Sequence, residues 1–498
     1  MVSENGNSTL VANGGLSSLI TNGGERSKTP AHVLVVTIAF PGHFAPLVQL
    51  LYHLEAESPG LRVTVWGNKD RIADLQKLQL RGELKGLELH LEEVFGEIPV
   101  YPDPKFPVRA ATTSAKCLEE CQPVREKLVA QKDIPGGPTA IVSDMFQYWC
   151  KDFADELGVP WYTYFSTSSL FLVVTAQRDA IIKAGRHPEK SPNLNDLMGN
   201  TFPGLEFIRI RDLTEEVFFF EKFYLEVIGR STRASAILLN TSEELDSLAG
   251  SIGVVRKLWP TTRILPVGPS LQYPGFGKVY TTTHSSSNCM EWLESQPENS
   301  VLYIAFGSIG TVSNESVMEL AAGLEASGVP FLWALKVPAH LNMADWLPEG
   351  FLERTKGQGI IITGWAPQVR ILAHSATGGF LSHCGWNSTL ESLCSGVPII
   401  SWPLSAEQPM NARFIADVAK VGVAVSYFKD EDQYSFEGVT REAVEKAVRL
   451  LMLEKKGEEF RKNAKEVQKS LFAAVAEGGS SYRNLHLLLD ELTGKRRG

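Results

Sequence analysis

Along this chain, apolar residues gather in short continuous runs that alternate with stretches of helical spacing. The first run, residues 32–38 (HVLVVTI), is of the kind found in buried parallel strands. A turn follows at Phe40, Pro41, Gly42 and His43, after which Leu47, Leu50, Leu51 and Leu54 recur at helical spacing. Val63, Thr64, Val65 and Trp66 then complete a strand-helix-strand unit. Further strands are predicted at residues 139–143, with Asp144 at their end, and at 159–166, 300–308, 331–335 and 359–362. Residues 379–382 and 397–402 read as two more strands. They flank a helix-sized stretch from Thr389 to about Ser395, and Gly396 sits where that helix should stop. Thr440 caps a helix whose Val444, Ala447, Val448 and Leu451 form one apolar stripe, and terminal helices extend from roughly Glu458 to Leu492. Strands alternating with helices define an α/β class with parallel sheets.

Composition narrows the function. A length of 498 residues predicts two domains, and 44% hydrophobic residues suffices for ordinary cores. The net charge of −9 excludes a nucleic-acid footprint, and the basic end Lys495, Arg496 and Arg497 is expected to fray. Six cysteines (Cys117, Cys121, Cys150, Cys289, Cys384 and Cys394) show neither metal-type nor disulfide-framework spacing, which points to a reducing, cytoplasmic location. No apolar run approaches the about eighteen residues that a membrane span needs. Residues 1–30, rich in Gly, Asn and Ser, are expected to form a disordered leader, and residues 270–287 a linker. Asp430, Glu431 and Asp432 match an Asp-x-Asp metal motif formally, yet lie in a polar stretch that reads as a solvated loop. The first strand lacks GxGxxG, and no GxSxG elbow occurs, so neither a nicotinamide oxidoreductase nor a serine hydrolase is supported.

The polar chemistry concentrates in residues 365–408. Between its two strands lies the turn His383-Cys384-Gly385-Trp386-Asn387-Ser388, in which Gly385 permits a tight backbone path and Asn387 or Ser388 is placed to cap the following helix. The start of that helix, with its unpaired N–H groups and positive dipole end, favours a phosphate. His383 and Ser388 add side-chain donors, and Glu391, one turn in, is placed to accept from a ribose hydroxyl. Glu407 and Gln408 lie beyond the second strand, at the carboxyl edge where open α/β sheets bind ligands, and suit sugar hydroxyls.

This block, with Trp365-Ala366-Pro367-Gln368 at its front, resembles the donor signature of plant UDP-dependent glycosyltransferases, the secondary-product family with a GT-B fold of two facing Rossmann-like domains. The resemblance implies that Trp365 stacks on uracil while Ala366 and Gln368 bond its edge. It gives the diphosphate to His383, Asn387 and Ser388, the ribose to Glu391, and the sugar to Trp386, Glu407 and Gln408. Ser308, after the strand at 300–308, matches the family's phosphate serine, and Ser166 falls where members place a hydroxyl near the sugar. His43, in His43-Phe44-Ala45-Pro46, matches the catalytic base, and Asp144 the residue that orients it. Read alone, His43 is a helix-start residue facing ligand and Asp144 a cap of the next helix. The implied domains are 31–269 for the acceptor, 288–460 for the UDP-sugar, and 461–498 crossing back onto the first.

The expected activity is inverting transfer of glucose from UDP-glucose to a hydroxyl of a small hydrophobic, phenolic acceptor such as a flavonoid, giving a β-glucoside. A monomer is expected, with no metal and no cofactor beyond the donor. Aromatic residues Phe218, Phe219 and Phe220 read either as core or as an acceptor wall. Two departures from the family stand out. The turn before His43 is short, which leaves a displaced base or a reshaped acceptor entrance open, and Glu407 replaces the more frequent Asp. The alternatives are a sugar-nucleotide epimerase or hydrolase, and a non-catalytic binder of sugar nucleotides or phenolics.

Overall fold

The computed structural model describes residues 31–96, 106–188, 190–214, 221–270, 286–307, 312–337, 342–364, 366–425 and 439–494. Ser308 and Trp365 lie outside the described residues. So do Phe218, Phe219 and Phe220, the acidic run 430–432, residues 1–30, the basic end 495–497 and most of the linker, 271–285.

Two parallel sheets are built one after the other. The first contains β1 (His32–Val36), β2 (Arg62–Asn68), β3 (Glu88–Phe95), β4 (Ala140–Asp144), β5 (Trp161–Phe165), β6 (Ala236–Leu239) and β7 (Ile264–Pro266), in the spatial order β3-β2-β1-β4-β5-β6-β7. The second contains β8 (Val301–Ala305), β9 (Phe331–Leu335), β10 (Gly359–Thr363), β11 (Thr377–Ser382), β12 (Ile399–Ser401) and β13 (Gly422–Ala424), ordered β10-β9-β8-β11-β12-β13. Each order reverses once, between β1 and β4 and between β8 and β11. Crevices at the carboxyl ends of such strand pairs are where this architecture receives ligands.

Burial on both faces explains the uninterrupted apolar runs. Val33 and Val35 of β1 pack with Leu47 and Leu51, whereas Leu34 and Val36 pack with Trp66 and Phe153 on the opposite face. In β8, Leu302 and Ile304 likewise separate from Val301 and Tyr303. A further cluster joins the two halves, bringing Phe165 and Phe146 together with Trp386, Met410 and Phe414.

The helix Ser480–Thr493 returns to the first sheet, where Leu485, Leu488, Leu489 and Leu492 share a core with Leu47 and Val33. Polar bonds fix it there: Tyr162 Oη donates to Glu491 Oε2 over 2.8 Å, and Asn484 Nδ2 donates to the Pro266 carbonyl over 2.8 Å. The sequence-derived boundary at residue 460 falls inside one continuous helix, Lys455–Val475. That helix packs on the second half, with Gln468 Nε2 donating to the Cys394 carbonyl over 2.6 Å, and also touches the helix Glu243–Asp246 of the first half before the chain turns into Ser480–Thr493. At the linker's front edge, Ser270 is held by the first half, because its N–H and Oγ both reach Asn240 Oδ1 at 3.0 Å.

Candidate active site

At the first reversal point, the helix Pro41–Glu57 begins directly after β1, with Phe40 as its N-cap and Pro41 at a position where a missing N–H costs nothing. His43 therefore lies inside the first turn, rather than in a loop before the helix. Its Nδ1 is 2.8 Å from Oδ2 of Asp144, the last residue of β4. Both residues are buried. The other oxygen of Asp144 accepts the Phe146 N–H over 2.9 Å within a turn. The next helix, Cys150–Leu157, begins at Trp149 with no side-chain cap, so Asp144 orients His43 and does not cap that helix. The short turn thus leaves the histidine in register with its partner. An Nδ1–H held on a carboxylate leaves Nε2 as the basic nitrogen and stabilises the ring once protonated. Phe146 stacks on His43 with centroids 4.8 Å apart, and Phe223 follows at 5.4 Å from Phe146 with Tyr148 at 5.8 Å from Phe223. Ser166 follows β5, the strand beside β4, and is buried.

At the second reversal point, His383 follows β11 and Gly307 follows β8. A Cβ built on Gly307 would meet the His383 ring at 2.5 Å, and one on Gly385 would meet its Nε2 at 2.5 Å, so the ring is gripped between two glycines. The sequence reading placed the tight backbone path at Gly385. The structure instead puts the left-handed residue at Cys384, with φ 62, and Gly385 is required by its close approach to His383. Cys384 is held by Asn411, whose Nδ2 donates to its carbonyl over 3.0 Å. Burial, with the Lys336 charge as a lesser cause, pushes the His383 pKa down to about 4, which keeps the ring neutral near pH 7. Its Nδ1 is buried with no partner among the described residues, as befits a group awaiting a ligand.

The helix Trp386–Ser395 starts at Gly385 with no side-chain cap and ends at Gly396, φ 67. Asn387 and Ser388 are therefore first-turn residues and not caps, and the N–H groups of that turn are left to a ligand. Gln368 Nε2 donates to Ser388 Oγ over 3.0 Å and to Glu391 Oε2, while its Oε1 accepts from Tyr303 Oη over 3.2 Å. This network brings Gln368, Ser388 and Glu391 together beside Ala366. Burial raises the Glu391 pKa to about 7, against the opposing Gln368 bond.

Two residues that the resemblance assigns to the donor also reach across to the first half. The Trp386 ring is buried, and its Nε1 donates to the Asn240 carbonyl over 2.7 Å, so only its backbone remains for a sugar. Asn387 Nδ2 donates to the Gly42 carbonyl over 2.5 Å, and its Oδ1 accepts from Asn240 Nδ2 over 3.2 Å. The turn bearing His43 is thereby bonded directly to the phosphate-type helix start. Asn240 as a bridge, and Lys336 beside His383, escaped the sequence reading. A lysine directly after the buried run 331–335 was the available signal for the second. Glu407 is the N-cap of the helix Gln408–Arg413, and Gln408 Oε1 accepts the N–H groups of Leu404 and Ser405 over 2.8 and 3.0 Å, which leaves Nε2 as its donor end. Among the described residues, no group of three or more His, Cys, Asp or Glu is arranged to hold a metal ion, and no helix is long and apolar enough to cross a membrane.

Two parallel sheets with opposed reversal points, a histidine-carboxylate pair on one and an open helix start on the other, define the GT-B class of glycosyltransferase folds. A family model described as UDP-glucoronosyl and UDP-glucosyl transferase matches residues 198–465. UDP-glycosyltransferase 73B3 of Arabidopsis thaliana is 36% identical over 370 residues, covering 72% of this chain and 74% of that protein. Scopoletin glucosyltransferase of Nicotiana tabacum is 34% identical over 378 residues, covering 72% and 75%. The crystal structure of Medicago truncatula UGT71G1 complexed with UDP-glucose superposes with a TM-score of 0.77 at 27% identity, covering 93% of this chain and 99% of that one. The chain belongs to the UDP-glycosyltransferase family and is an enzyme of the plant secondary-product type.

Proposed function

We propose that this enzyme transfers glucose from UDP-glucose, with inversion, to a hydroxyl of a small planar phenolic acceptor, and that it needs no metal to do so. The single observation that carries this reading is the His43–Asp144 bond at 2.8 Å on a turn that is itself bonded to the Asn387 helix start. His43 Nε2 takes the acceptor's proton as the oxygen attacks the anomeric carbon, and Asp144 stabilises the imidazolium. Attack from the face opposite UDP turns an α-linked donor into a β-glucoside. The negative charge that develops on the departing diphosphate meets the first-turn N–H groups of the helix Trp386–Ser395, the gripped His383 and the Ser388 hydroxyl. Together with the roughly half-unit positive charge of a helix N-terminus, these supply the stabilisation a metal gives elsewhere.

The rings beside the base support this acceptor class. Phe146, Phe223 and Tyr148 form an aromatic run leading away from His43, which suits a flat aromatic molecule with a hydroxyl at its edge. Relatives agree in kind, since one is named for scopoletin and a similar structure from Phytolacca americana holds UDP-2fluoro-glucose and pterostilbene. Six buried cysteines, none of them in a disulfide, support a cytosolic place of work.

The test is to incubate the enzyme with UDP-glucose and a panel of flavonoids, stilbenes and coumarins, and to determine the anomeric configuration of any product by NMR. A β-linked O-glucoside is expected. An α-linked product would refute inversion, and UDP release without acceptor would replace transfer by hydrolysis or epimerisation.

A further inference from the structure

The loop that presents Glu407 connects β12 to the helix Gln408–Arg413, and it is strained: Ala406 has φ 53 without being glycine. Inside the loop, Gln408 Oε1 collects the N–H groups of Leu404 and Ser405. What fixes the loop relative to the rest of the molecule comes from the other half of the chain. Thr214 Oγ1 donates to the Ala406 carbonyl over 2.9 Å. One step further along, Arg413 Nε and Nη2 fork onto Asp212 Oδ2 and Oδ1 over 3.0 and 3.1 Å. The Asp212 side chain is 4% exposed, and its Oδ2 also accepts the Arg209 N–H over 2.8 Å, so the carboxylate cannot swing with the arginine. These two attachments bracket Glu407 and Gln408, one landing just before them and one at the end of the helix they open.

We propose that Asp212 and Thr214 are positioning residues which hold the sugar-contacting loop from across the cleft, so that the acceptor half of the chain sets how the donor sugar is handled. The remaining donor groups are held mainly by other bonds, although Asn411 of the same helix also donates to the Cys384 carbonyl beside His383. Gln368, Ser388 and Glu391 are bonded to one another, and His383 is gripped by Gly307 and Gly385. Loosening the clasp therefore shifts the contacts to the sugar while leaving those to the nucleotide in place. The inference rests on the reading of Glu407 and Gln408 as sugar contacts.

The test uses the full chain with Asp212→Asn, Thr214→Val and Arg413→Lys, each checked for its melting temperature. UDP affinity is measured by calorimetry, and KM and kcat with UDP-glucose and UDP-galactose. Thr214→Val removes one hydrogen bond and keeps the shape, so it remains informative where a change to the buried ion pair prevents folding. Arg413→Lys keeps the charge but loses the fork. The expected result is UDP affinity within about twofold of wild type, KM for UDP-glucose raised by about tenfold in Asp212→Asn and less in the other two, and a narrower preference between the two sugars. Folded variants with wild-type KM and sugar preference would overturn the proposal. So would UDP and UDP-glucose weakening in parallel, or a lowered melting temperature with an unchanged sugar preference. A wild-type chain that binds UDP but turns over neither sugar nucleotide would instead refute the sugar-site reading, and the proposal with it.

Discussion

His43 can act as a base only while Asp144 holds one of its nitrogens, and the structure lets these two functions be separated by a single atom. Asp144→Asn keeps an oxygen for the Phe146 N–H and loses the negative charge opposite Nδ1. The variant should fold normally and bind UDP as wild type does, while kcat falls by about a hundredfold or more. Equal kcat would show that the carboxylate only holds the turn at Phe146. Glu391 gives a second prediction at this scale. Its carboxyl is pushed up to about 7 by burial, so its charge is lost as pH falls through 7, and with it the stronger, charge-assisted bond to the ribose hydroxyl that the resemblance assigns to it. UDP affinity should weaken from pH 8 to pH 6 by more than in Glu391→Gln, and identical pH profiles would contradict this. The effect on stability has the reverse sign to the common carboxylate case. The folded group holds its proton to about 7 and the unfolded one only to about 4.5, so its contribution declines as pH rises across that window. In the sequence, His43 and Asp144 were legible only because a motif placed them. Their pairing spans 101 positions, which no local pattern records. As a bridge, Asn240 was not legible at all, because a bridging amide has no sequence signature.

Among the elements, β8 and β9 were easy to find because every position in them is apolar, whereas the equally buried β6 and β7, only four and three residues long, were not read as strands. The edge strand β3 (Glu88–Phe95) was missed, since Glu88, His90, Glu92 and Glu93 fill half of its 8 positions and only Phe95 is buried. The helix Trp386–Ser395 was predicted about three residues late because Trp386, Asn387 and Ser388 looked like turn and cap residues. Its dependence on glycine is specific, and Gly307 tests it. With φ 74 and the His383 ring 2.5 Å from where a Cβ would lie, Gly307→Ala must displace the ring. The expected outcome is UDP affinity reduced by about tenfold or more, with a strain cost of order 1–3 kcal/mol in urea unfolding. Unchanged affinity would mean that His383 does not hold the diphosphate.

For the whole molecule, the two-sheet plan was legible from strand-helix alternation, whereas the return of the helix Ser480–Thr493 onto the first sheet depends on contacts such as Asn484–Pro266 and Glu491–Tyr162, 218 and 329 positions apart. Leu488, fully buried against Leu47 and Leu51, tests that return. Leu488→Ala should destabilise the protein by about 2–5 kcal/mol, and a loss under 1 kcal/mol would show that the helix is not part of that core. In the proposed function catalysis is also a whole-molecule property, because His43 follows the first sheet's β1 and the helix start assigned to the leaving diphosphate follows the second sheet's β11. The most direct measurement is therefore UDP release from UDP-glucose, with and without a phenolic acceptor, by wild type and His43→Ala, each in the presence of EDTA. Acceptor-dependent release that persists in EDTA and collapses in His43→Ala, while UDP still binds, is the predicted result. Release that needs no acceptor, is abolished by EDTA, or survives loss of His43 would contradict the account.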